Sequence, residues 1–174
     1  MTRWARVHLC ALAVAGLSFM PGAGQAAEAV AETAVSAAPS FDLVTLAGEA
    51  YSKESLKGRP ALLMFWAPWC PVCRKELPIL GRFYQQEKPA QLLVISVGFA
   101  DRRGNVEEYV KSHPETFVFP TAYDEENWVS RAFKVTATPT FVLLDSSGNI
   151  LMVHRGGGVS QNPTYREFLS KLKN

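Results

Sequence analysis

Two cysteines with two residues between them, Cys70-Pro71-Val72-Cys73, stand where a short apolar run gives way to a helical pattern. The run Ala61-Leu62-Leu63-Met64-Phe65-Trp66 has the length of a strand buried on both faces. Beyond the cysteines, Leu77, Leu80 and Tyr84 are spaced for one apolar helical face. A C-x-x-C at such a junction reads as a dithiol redox site. The unpaired N–H groups and macrodipole at a helix N-terminus favour an anion, so a thiolate is stabilised at Cys70. The thiolate is the attacking species in disulfide exchange. Cys73, one turn further on, is placed to attack the mixed disulfide that Cys70 forms. Pro71 suits the first helical turn, where its missing N–H is not needed. A structural disulfide and half of a zinc site are the alternatives. Zinc usually takes four ligands, and the remaining candidates are Cys10 in the leader and the isolated His113 and His154.

Those cysteines need a domain to hold them, and 174 residues suffice for one with a substantial core. The N-terminus differs from the rest. Met1–Arg6 carries Arg3 and Arg6 and no acid, Val7–Met20 is apolar apart from His8 and Ser18, and small residues lead up to Ala26. That order predicts a secretory signal peptide over 1–26, with an uncleaved anchor helix as the alternative. Ala27–Ser40, poor in large apolar side chains, is expected to be a flexible linker. The domain then runs over 41–174. The full chain has 18 basic and 16 acidic residues. Loss of the leader removes two arginines and leaves the charges equal, so nothing remains to attract nucleic acid by counterion release. Export would place the two remaining cysteines in an oxidising compartment.

Within the domain, 41–51 reads as a hairpin turning near Gly48, and Ser52 is placed to cap a brief helix ending at Gly58. The active-site helix is expected over 71–86, with Pro78 inside it. Gln91–Phe99 reads as a second buried strand, and Asn105 as the cap of a helix over 106–112. Phe117–Tyr123 is strand-like, with Pro120 arguing for a sheet edge. A short helix over 127–133, a strand over 138–145, a return strand over 150–154 and a final helix from Asn162-Pro163 to Leu172 complete the pattern. The run Gly156–Gly158 looks like a flexible strand end, and Met152, Trp128 and Phe133 like packing residues.

Phe65-Trp66-Ala67-Pro68-Trp69-Cys70-x-x-Cys73 resembles a thioredoxin-fold active site. The longer run to Arg74-Lys75-Glu76-Leu77-Pro78 is similar, more narrowly, to the TlpA/ResA-like group of periplasmic thiol–disulfide oxidoreductases, which includes the CcmG (DsbE) reductases. The resemblance implies an α/β thioredoxin-like fold: a central mixed β-sheet flanked by helices, an N-terminal β-hairpin and an αβ insertion over about 105–123. It also implies a cis peptide bond before Pro139, in Val135-Thr136-Ala137-Thr138-Pro139-Thr140, beside the cysteines. The Thr138 backbone is then left to pair with an extended substrate; an ordinary trans turn proline is the alternative.

Glu76 lies three residues after Cys73, on nearly the same helical face. It matches the acid of ResA-like proteins and is a candidate to exchange protons with the leaving thiol. A solvated helix glutamate beside Arg74 and Lys75 is the bland alternative. The acid that thioredoxins carry two residues before Phe-Trp-Ala is missing here. Trp69 is expected to cover the sulfurs and offer an apolar face to partners.

The function implied is disulfide reduction in exported proteins, for which apocytochrome c thiols are the best-known target class of the family. No cofactor beyond the Cys70–Cys73 disulfide and no metal is expected. The implied partners are protein thiols or disulfides and a membrane electron donor of the CcdA or DsbD kind, with the chain itself a monomer. An oxidant running in the DsbA direction is the alternative, and a non-catalytic metallochaperone is a lesser one. Pro71-Val72 departs from the dipeptide of many CcmG-like proteins, which leaves the potential open.

Overall fold

The computed structural model describes residues 36–87 and 91–172, so the expected signal peptide and most of the linker lie outside the described residues. Two strands set the frame, β4 (Ala61–Trp66) and β5 (Leu93–Gly98), each buried along all six residues. Their continuous apolar character follows from this burial, because a strand covered on both faces has no polar side to alternate with. They pair in parallel, Ala61 opposite Leu93 and Trp66 opposite Gly98. On the other flank of β4 runs β7 (Thr140–Leu144), antiparallel, with Thr140 opposite Phe65.

Around these strands the sheet is completed by β8 (Asn149–Arg155), β1 (Ser36–Ala37) and β6 (Thr121–Tyr123), in the order β1-β8-β7-β4-β5-β6. The hairpin of β2 (Asp42–Val44) and β3 (Ala50–Ser52) forms separately. It laps the β6 edge through a donation from Leu46 N–H to the Thr121 carbonyl at 2.8 Å. The helices are α1 (Pro71–Glu87), α2 (Arg103–Ser112), α3 (Trp128–Ala132) and α4 (Pro163–Leu172). The expected α/β architecture, entry hairpin and α2–β6 insertion are all present.

Side chains of β4 alternate between two cores, as the period of two requires. Leu62, Met64 and Trp66 pack with Cys73, Leu77 and Leu80 of α1, Val106 of α2 and Tyr165 of α4. Ala61, Leu63 and Phe65 pack on the opposite face with Phe41, Leu43, Val129 and Phe133. Gly98 is required by this arrangement, since a Cβ there would come within 2.5 Å of Val106 Cγ1.

Several local expectations are corrected. Residues 36–40, assigned to the linker, belong to the domain: Ser36 and Ala37 pair with Ile150 and Asn149, and Ala38 is buried and donates its N–H to the Gly148 carbonyl. Main-chain pairing holds this stretch where side-chain bulk does not. After Ser52 there is only turn structure, although Ser52 Oγ does accept the Ser55 N–H at 3.1 Å. Helix α2 starts at Arg103, so Asn105 lies inside it and donates from its side chain to Asp101 at 2.7 Å. Of the strand expected over 117–123, only Thr121–Tyr123 pairs, at the sheet edge after Pro120.

Candidate active site

At the end of β4 the chain leaves the sheet through Ala67-Pro68-Trp69 and enters α1 at Pro71. The turn is closed by the Cys70 N–H, which donates to the Ala67 carbonyl at 3.1 Å. Cys70 and Cys73 form a disulfide, their Cα atoms 5.2 Å apart. The Cys73 N–H points at Cys70 Sγ, 3.1 Å away. This is one of the orphan donors of a helix N-terminus, aimed at the sulfur expected to carry negative charge. Cys73 is fully buried and Cys70 is 3% exposed. Arg74 closes the first turn of α1 and Lys75 follows it, adding positive charge, and the Arg74 Nε donates to the Pro68 carbonyl at 2.7 Å. Beneath Arg74, burial pushes the Tyr109 hydroxyl above its ordinary value while the guanidinium pulls the other way.

Pro139 reaches the site by strand register. Thr140 opposes Phe65, so the residue before it lies level with the last turn of chain leading to the cysteines. The Thr138–Pro139 peptide bond is cis, Pro139 is buried, and no hydrogen bond to the Thr138 backbone occurs among the described residues. Leu63 and Met64, near where a thioredoxin would carry its acid, are fully buried and apolar.

Glu76 is half-buried, and its Oε1 accepts the Gly158 N–H at 2.8 Å. The glycine run beyond β8 is therefore no loose end. Gly156 N–H donates to the Pro139 carbonyl at 2.8 Å. A Cβ on Gly157 would lie 2.8 Å from Glu76 Oε1 and 3.1 Å from Val72 Cγ1. One stretch of main chain thus touches the proline strand, the dipeptide between the cysteines, and the acid. We expect Gly157→Ala to displace Glu76 and Val72 by a few tenths of an ångström or more and to move the equilibrium constant with glutathione, read by thiol quantification.

Trp69 stands at the surface, 54% exposed, with its indole N–H donating to the Ala100 carbonyl at 3.1 Å. A groove of about 370 Å³ runs beside it, lined by Pro68, Arg74, Asp101, Asn105 and Tyr109. A larger groove of about 550 Å³ lies at the other end of β5, against Leu93 and the hairpin, away from the cysteines. Trp128 is corrected from packing residue to surface residue: it is 66% exposed, under the Arg131 guanidinium and bonded to Glu126. Met152 and Phe133 are buried.

The described residues contain no group of three or more His, Cys, Asp or Glu placed to hold a metal, and no helix long and apolar enough to cross a membrane.

Comparison with known proteins bears on what the cysteine pair does. The Redoxin family model matches residues 33–169. The chain belongs to the Redoxin family. Among relatives of this Redoxin chain, thioredoxin-like protein YneN of Bacillus subtilis is 36% identical over 68% of this chain and 69% of its own length. Thiol-disulfide oxidoreductase ResA of Halalkalibacterium halodurans is 27% identical over 98% and 94% respectively. The crystal structure of StoA from Bacillus subtilis superposes with a TM-score of 0.64 at 26% identity, covering 79% of this chain and 98% of that one. The Redoxin chain therefore has the thioredoxin fold and is a thiol–disulfide oxidoreductase of the ResA/StoA type.

Proposed function

We propose that this oxidoreductase works outside the cytoplasm as a reductant of disulfides in exported proteins, among which apocytochrome c thiols are the leading candidate class. The observation carrying the exchange chemistry is the Cys73 N–H held at 3.1 Å from Cys70 Sγ, at a helix start. The Cys70 thiolate attacks a substrate disulfide, forming a mixed disulfide and releasing one substrate thiolate. Cys73 then attacks Cys70 Sγ, closing the Cys70–Cys73 bond and releasing the second substrate thiol. Two electrons pass to the substrate, and a membrane donor of the CcdA or DsbD kind supplies two more to reduce the Cys70–Cys73 bond again. In this reading Thr138 and Pro139 line the substrate strand's path and Trp69 is the face it meets. The reductive direction and the extracytoplasmic setting rest on likeness to ResA-type relatives and on the leader-like N-terminus.

One set of observations favours the opposite direction. The Cys73 N–H and the basic residues at the start of α1, Arg74 and Lys75, both favour the reduced thiolate, and a stabilised reduced form makes a stronger oxidant. The reduction potential separates the readings. A value near about −270 mV supports the reductant, and one near about −120 mV supports the oxidant.

Glu76 is proposed to exchange a proton with the departing thiol through Oε2, which has no hydrogen-bond partner among the described residues. Glu76→Gln is expected to move the pH profile of Cys70 alkylation to lower pH, because a negative charge near the thiol is removed. An unmoved profile takes Glu76 out of the mechanism.

A further inference from the structure

Ala100 follows β5 with φ of 55°, a left-handed conformation unfavourable for a residue with a Cβ. It is held on both sides. Its N–H donates to Asn127 Oδ1 at 2.8 Å, and its carbonyl accepts the Trp69 indole N–H at 3.1 Å. Asn127 is itself left-handed, with φ of 58°, a conformation asparagine tolerates better than most residues. Its own backbone is fixed by a donation to the Asp124 carbonyl at 3.1 Å, and its carbonyl accepts Ser130 Oγ at 3.1 Å and Arg131 Nε at 3.2 Å. Two hydrogen bonds thus run from one amide side chain, through a single strained residue, to the exposed indole next to Cys70.

We infer that Asn127 is a positioning residue, which sets the Trp69 indole and so the face on which a protein substrate docks before exchange at Cys70. The inference rests on the reading of Trp69 as partner-facing. A loop asparagine that only favours its own left-handed turn would act on stability alone. The relay acts on Trp69.

Two variants separate these roles. Asn127→Gly keeps the positive φ and deletes the acceptor, whereas Asn127→Asp keeps an acceptor oxygen. The readouts are the indole ¹H–¹⁵N signal of Trp69, assigned through Trp69→Phe, and the kinetics of insulin disulfide reduction. In Asn127→Gly the Trp69 signal is expected to shift and its proton to exchange faster with water. KM for insulin is expected to rise about fivefold while kcat holds, the size of one net hydrogen bond. Asn127→Asp is expected to restore both. An unmoved Trp69 signal in Asn127→Gly overturns the relay, and a moved signal with unchanged KM overturns its link to docking. Equal losses in both variants also overturn the proposal. If the wild-type protein reduces no insulin, the functional reading fails instead, and the indole signal still reports on the relay.

Discussion

The Cys73→Ser variant is expected to accumulate a covalent complex with its substrate through Cys70, and Cys70→Ser to accumulate none. The two sulfurs are set apart by position. Cys70 is at the mouth of the turn with a backbone N–H aimed at its sulfur, while Cys73 is fully buried beneath it. A sulfur with no exposed surface cannot meet a protein disulfide, but it can reach the neighbour with which it already shares a bond. Without Cys73 the mixed disulfide has no internal nucleophile to resolve it. Removal of Cys70 takes away the one sulfur of the pair with any surface open to solvent, and exchange is expected to fall by about a thousandfold or more. Non-reducing electrophoresis after incubation with a disulfide-bearing protein checks both outcomes. Equal trapping by the two variants would defeat the assigned roles.

A second large effect is expected from Asp124→Ala, this time on stability. Asp124 is 2% exposed, and its carboxylate accepts the Val129 N–H at 2.9 Å and the Ser130 N–H at 2.7 Å. These are first-turn donors of α3, which has no other side-chain cap. Alanine would leave two buried N–H groups without partners, at about 1–3 kcal/mol for a typical buried donor. A loss of about 3 kcal/mol in all, or roughly 10 °C in Tm, is expected in thermal denaturation. Asp124→Asn retains an acceptor and is expected to lose less. A change below about 0.5 kcal/mol for the alanine variant would show that water replaces the carboxylate without penalty.

The parts of the site legible in the sequence are those whose chemistry is written locally. Cys70 and Cys73 are three residues apart and sit between a buried strand and an amphipathic helix, so their types and spacing are enough. The cis bond before Pro139 was accessible only through family resemblance, because no local pattern around Thr138 demands it. Glycines 156–158 look like a flexible end, since a glycine run reads the same whether it is loose or pressed against something. Its meaning comes from Glu76, 82 positions away. Asn127 and Ala100 are 27 positions apart, and neither residue type announces the bond between them. Trp128 is a related case: a tryptophan at the start of a short helix is as readily turned outward as inward, and only packing decides. Over 117–120 apolar content is present without a strand: the Phe117 N–H turns back to the His113 carbonyl, and only the Pro120 carbonyl, taking the Ser96 N–H, reaches the sheet before Thr121.

The glycine strip at the end of β8 has a consequence for how the site can vary. Gly156 is tied to Pro139, Gly157 lies against Val72 and Glu76, and Gly158 holds the Glu76 carboxylate. Changes at Val72 and Glu76 are therefore transmitted through a shared piece of backbone, and their free energies should not simply add. A lineage that retunes the residue between its sulfurs must do so in concert with the acid, or the loop between them has to yield. The cysteine dipeptide is in this chain one face of a joint that it shares with the acid and the proline strand.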